Sequence, residues 1–120
     1  MATDVINLAW KQMCKRKFSE AITLLESKAD VYEEDFEFYI MIATAFLYIG
    51  DFGSASTYFQ KARRIKITDT RLLLGQAIIF LRRGDTKRAL QYYLDVKDNE
   101  PSNKIAADAI EFIRVNGDYD

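Results

Sequence analysis

A shift of 34 residues lays small and aromatic side chains onto one another, and this period constrains the fold more than any other feature of the sequence. Ala9 falls on Ala43 and Ala77, and Ala21 falls on Ala55 and Ala89. Gly50-Asp51 falls on Gly84-Asp85, Phe46 on Phe80, and Phe18 on Phe52. Leu25, Phe59 and Tyr93 form a further column. A unit this short cannot bury its apolar face alone, so successive units must stack. One proline and five glycines in 120 residues leave few breakers, which favours long helices over many short strands.

Each unit reads as a pair of helices. The expected spans are about 4–15 and 19–28, then 36–49 and 53–65, then 72–83 and 87–97, with a last helix over about 103–115. Gly50 suits the left-handed residue that ends a helix, and the Asp51 carboxylate can accept the open amides of the next one. Gly84-Asp85 repeats the device. The alanine columns have a packing reason: antiparallel helices approach closely only where one side chain is small, and large neighbours such as Phe46 and Phe59 fill the space beside it.

These columns resemble the tetratricopeptide repeat family. The second unit carries its motif as Tyr39, Ile42, Ala43, Phe46, Gly50-Asp51-Phe52, Ala55, Phe59 and Ala62, with Ile67 at the closing proline. The third carries Leu73, Ala77, Phe80, Gly84-Asp85, Ala89, Tyr93 and Pro101, with Thr86 and Val96 in place of an aromatic and an alanine. The first keeps Leu8, Ala9, Phe18, Ala21 and Leu25, while Gln12, Arg16 and Lys28 depart from it. The resemblance implies an all-α tetratricopeptide-repeat superhelix, an α-solenoid with a concave and a convex side. It predicts one domain over residues 1–120, with repeats at about 2–35, 36–69 and 70–103 and a solvating cap helix at about 103–115. It implies a protein-binding scaffold, adaptor or small chaperone, since the fold itself carries no chemistry.

The residue inventory points away from catalysis. With no histidine there is no imidazole base and no histidine-type zinc site, and the isolated glycines make no phosphate loop. No enzyme activity, cofactor or metal is expected. Glu33-Glu34-Asp35 reads as a solvated linker and helix start. Cys14, the only cysteine, excludes an internal disulfide and suits a reducing, cytoplasmic setting. The opening residues show no basic segment followed by an apolar core, so no signal peptide is expected. The ending Gly117-Asp118-Tyr119-Asp120 is compatible with a fragment of something longer. The longest apolar run, residues 38–49, is too short to span a bilayer as a helix. A formal net charge of −1 makes nucleic acid a poor partner. Within it, Lys61, Arg63, Arg64, Lys66, Arg71, Arg82, Arg83, Lys87 and Arg88 outnumber Asp69 and Asp85. These read as cations at helix C-termini or as a patch that steers an acidic partner.

The strongest functional signal is apolarity in excess of one stripe. After the repeat columns are assigned to the core, Ile40, Met41, Thr44, Leu47 and Tyr48 remain in the second unit, and Leu74, Ile78 and Leu81 in the third. The matching residues of the first unit are Ile6, Trp10, Met13 and Cys14, and Arg71 and Arg82 complete the set. In the family these columns face the concave side, which implies a groove for an apolar peptide or amphipathic helix of another protein. Family members that clamp the carboxylate of chaperone tails use lysine, asparagine and arginine there. Ile6, Trp10, Met41 and Gly75 stand in those columns here, and only Arg71 stands for a lysine. An assembly module that pairs this surface with a second copy is the alternative. The cap helix, through Ile105, Ala109, Ile110 and Ile113, is a further candidate to cover it.

Overall fold

The structure, a computed structural model, describes residues 2–116; Met1 and the 117–120 tail lie outside the described residues. The described residues form helices only: α1 (Ala2–Cys14), α2 (Phe18–Glu26), α3 (Phe36–Tyr48), α4 (Phe52–Arg63), α5 (Thr70–Arg82), α6 (Thr86–Asn99) and α7 (Lys104–Asn116). They fall into two compact units, residues 1–66 with α1–α4 and residues 67–120 with α5–α7.

The turns repeat with the sequence. At the end of α3 the Asp51 amide donates to the Phe46 carbonyl at 3.0 Å and the Gly50 amide to Leu47 at 3.1 Å. At the end of α5 the Asp85 and Gly84 amides do the same to Phe80 and Leu81, at 2.9 and 3.1 Å. These paired bonds close a helix around a left-handed residue, and Gly50 and Gly84 have φ of 84° and 83°. Arg16, one period earlier, takes φ 62° and the same bonds form, Lys17 to Gln12 at 2.8 Å and Arg16 to Met13 at 2.9 Å. The first repeat thus keeps the geometry without the glycine. A Cβ on Gly84 would meet nothing within 4 Å, so backbone strain alone sets the effect of adding one. Gly84→Ala should lower stability by about 1–2 kcal/mol; an unchanged urea midpoint would show that the turn relaxes freely.

Aspartates start four helices. Asp35, Asp51, Asp69 and Asp85 accept the amides of Phe38, Ser54, Arg71 and Arg88 at 3.0, 3.1, 2.9 and 3.2 Å. Asn103 accepts the Ala106 amide at 2.9 Å at the start of α7. Each cap satisfies a donor that the helix cannot.

In the first unit α3 packs against α2 and α4 and also touches α1. That coverage explains why α3 is apolar nearly all round: Phe36, Phe38, Tyr39, Ile40, Ile42, Ala43, Ala45 and Phe46 are all buried. Ala9, Ala21, Ala43 and Ala55 have no exposed surface, nor do Ala77 and Ala89 in the second unit, so both alanine columns are close helix contacts. Ala89→Leu should therefore cost about 1–3 kcal/mol through overpacking. A denaturation midpoint equal to wild type would remove the column from the packed contacts.

The second unit gathers Leu73 and Ala77 of α5, Ala89, Tyr93 and Val96 of α6, and Ala106, Ile110 and Ile113 of α7 into one core. Thr70 Oγ1 donates to the Glu100 carboxylate and ties the start of α5 to the end of α6. α7 packs on α6 through its inner face, but its other side leaves Ile105, Phe112 and Val115 exposed, Phe112 by 62%. The outer face of the proposed cap helix thus keeps apolar side chains among its polar ones. Ile105 stays largely exposed, because Ala106, Ile110 and Ile113 occupy the stripe that meets α6 and Ile105 lies off it.

Candidate functional site

In the first unit the unassigned apolar residues collect on two neighbouring helices. α1 carries Ile6 and Met13 half-buried and Trp10 and Cys14 exposed, Trp10 by 57%. α3 carries Met41, Thr44 and Leu47 half-buried and Tyr48 exposed by 60%. The spacings 10, 13, 14 and 41, 44, 48 place each set on one side of its helix. The Thr44 hydroxyl donates to the Ile40 carbonyl at 2.7 Å, so its donor is used within α3.

The helices are registered at their C-terminal ends. Phe18, the first residue of α2, stacks on Tyr48 with ring centroids 4.7 Å apart and planes 6° from parallel. The Arg16 guanidinium lies 5.7 Å from the Phe18 centroid. An Arg16–Phe18–Tyr48 ladder therefore borders the surface. The repeat columns do not announce it, since Arg16 reads there only as a lost glycine.

One expected member is corrected by the structure. Ile40 is only 3% exposed and belongs to the core, because the packing of neighbouring helices around α3 leaves the residue after it, Met41, as the accessible one. Arg71 is engaged by Asp69, Nη2 to Oδ2 at 3.0 Å and Nε to Oδ1 at 3.1 Å. Burial alone pushes the Asp69 carboxyl up, but the hydrogen bonds and charge of Arg71, with the Arg71 and Leu72 amides, outweigh it and hold the group below the usual carboxylate range. That fork braces the start of α5 and leaves half of the Arg71 side chain exposed. Elsewhere on α5, Leu74 and Leu81 are half-buried against the second unit's core, Ile78 is half-buried and Arg82 is exposed.

A second concavity in the first unit was not legible in sequence. A polar cleft of about 460 Å3 lies between the turn after α2 and α4, floored by Phe38, Tyr39 and Tyr58. Lys61 Nζ sits 5.9 and 5.1 Å from the Tyr39 and Tyr58 centroids, and the Tyr39 hydroxyl accepts the Glu34 amide at 3.0 Å. Burial, with Glu26 and Tyr39 nearby, pushes the Tyr58 hydroxyl pKa up. Among the described residues no group of histidine, cysteine and carboxylate side chains is placed to hold a metal ion, and no helix is long and apolar enough to cross a membrane.

No protein-family model matches the sequence, and no curated protein matches it significantly. Solved structures do match. The first tetratricopeptide repeat domain of Spaghetti (RPAP3), bound to the HSP90 peptide SRMEEVD, superposes with a TM-score of 0.86 at 18% identity, covering 95% of this chain and 90% of that one. The Yersinia enterocolitica type III secretion chaperone SycD, in complex with a peptide of the translocator YopD, gives 0.84 at 14% identity, covering 98% and 95%. The tetratricopeptide repeat domain of Arabidopsis OM64 gives 0.83 at 19% identity, covering 90% and 89%. Together with the 34-residue columns and the repeated turns, these matches show that the chain has the tetratricopeptide-repeat fold.

Proposed function

We propose that this chain is a non-catalytic, cytoplasmic peptide-binding module, a single interaction domain of the adaptor or small-chaperone type. Its α1 and α3 surface holds an apolar peptide or amphipathic helix of another protein. The observation that carries this reading is the stripe of Trp10, Met13 and Cys14 beside Met41, Thr44, Leu47 and Tyr48. An indole and a phenol, each more than half exposed on neighbouring helices and flanked by half-buried apolar side chains, form a contiguous apolar surface of the kind that marks interaction sites. Tryptophan and tyrosine are the residues that dominate binding energy in protein interfaces, and methionine adapts to irregular apolar partners. The solved relatives bound to an HSP90 peptide and to a translocator peptide support the peptide-binding class. The apolar columns at Ile6, Trp10 and Met41 favour an apolar ligand over a clamped carboxylate. On the second unit, Leu74, Ile78, Leu81 and Arg82 of α5 are proposed as partner-binding residues.

The test is a titration of a synthetic amphipathic helix of about fourteen residues, with leucines at the i, i+3, i+4 and i+7 positions, read by Trp10 emission. Saturable blue shift at fixed protein concentration supports the proposal. The alternative is that this same apolar surface pairs with a second copy of the chain. It forecasts instead a molar mass that falls on dilution, and no response of Trp10 to peptide.

A further inference from the structure

The charges around the α1–α3 surface are not evenly spread. At its C-terminal end lie Lys11 and, in the turn that joins α1 to α2, Lys15, Arg16 and Lys17. All four are exposed, and none forms an ion pair with a described residue. Arg16 is fixed to the rim of the surface by its place over Phe18, whose ring stacks on Tyr48. The turn itself is held by the Lys17 and Arg16 amide bonds to Gln12 and Met13. The other end is of mixed sign: the exposed Asp30, Glu33 and Glu34 before α3 share their cleft with Lys61 and Arg64. The apolar stripe is thus bordered by an uncompensated cluster of cations at one end only.

We infer that this surface selects apolar segments that carry carboxylates at one end, seated against Lys15, Arg16 and Lys17, and rejects those with cations there. The inference rests on the peptide-binding reading and adds to it the charge and the orientation of the ligand. It differs from capture of a terminal carboxylate inside the groove, because the cations stand at the rim, past the last apolar residue of α1, and the groove columns themselves are apolar. Exposed ion pairs are individually weak, but several like charges within a Debye length act together. Their effect falls on selectivity and association rate more than on the affinity that the apolar anchors supply. A left-handed residue other than glycine at the end of α1 has a consistent role here, since it puts a guanidinium where the other two turns have no side chain.

The experiment uses three synthetic peptides with one common apolar amphipathic stretch, ended by glutamates, lysines or serines, titrated into the full chain at low salt and read by Trp10 emission and calorimetry. The glutamate-ended peptide should bind about tenfold more tightly than the lysine-ended one, with the serine-ended one between them, and the gap should shrink to about twofold at about 0.5 M salt. The double variant Lys15→Glu, Lys17→Glu should reverse the order, with helix content and Tm unchanged because both side chains are exposed. Equal affinities of all three peptides for the wild-type chain at low salt, with Trp10 responding to each, would overturn the charge selection and leave peptide binding standing. Silence of Trp10 and of the calorimeter to all three would overturn peptide binding itself.

Discussion

Phe59→Ala should lower the stability of the first unit by about 3–5 kcal/mol, the range for emptying a fully buried aromatic site. Phe59 lies on α4, is 1% exposed and ranks among the largest fully buried side chains. It sits one turn from Ala55 and Ala62, both fully buried, where α4 meets α3. Those alanines cannot grow to fill the void, and α3 cannot advance because its other side is already packed on α2. The cavity therefore stays, and its lining loses its contacts. Urea unfolding followed by the loss of helical circular dichroism is the measurement, since the described residues form helices only. A midpoint shift worth less than about 1 kcal/mol would mean that the α3–α4 contact is looser than its burial implies.

Trp10→Ala should weaken peptide binding by roughly thirtyfold, about 2 kcal/mol, as expected of an interface anchor, while leaving Tm nearly unchanged. With 57% of its surface exposed, the indole contributes little to the core of the free chain. Its emission should be red and quenchable without ligand, and should move blue as peptide covers it. Two outcomes count against this. Blue, shielded emission in the free chain would make Trp10 a core residue. A mutant that mainly unfolds would say the same, and the α1–α3 surface would lose its principal anchor.

How much of the site was readable before any coordinates is clearest at α3. The repeat arithmetic places Ile40 and Met41 together among the leftover apolar residues, and it is right that α3 exceeds a single stripe. It cannot say which of the two neighbours is covered. That depends on how many helices surround α3, a fact about α1, α2 and α4 together, and the structure buries Ile40 while leaving Met41 half-open. Ile105 fails for the same reason: its hydrophobicity is plain in sequence, but the face of α7 that meets α6 is chosen by the fit of Ala106, Ile110 and Ile113. Arg71 shows the electrostatic version. As a column entry it is a cation open to a ligand, and only the fold of residue 69 beside it reveals the bidentate pair.

Turn geometry, helix starts and the close alanine contacts were settled by the amino-acid sequence itself. Each depends on residues within a few positions of one another or on the 34-residue period: a left-handed glycine, a carboxylate two or three residues before an amide, a side chain too small to keep helices apart. Even Arg16, which breaks the pattern in composition, obeys it in hydrogen bonding, because the turn is held by backbone groups and tolerates the residue at modest strain. What only the tertiary structure decided is exposure: which apolar side chains remain in contact with water, which cations make no ion pair among the described residues, and that Phe18 carries Arg16 to the edge of Tyr48. Exposure is a property of the space between elements distant in sequence, and no local pattern encodes it.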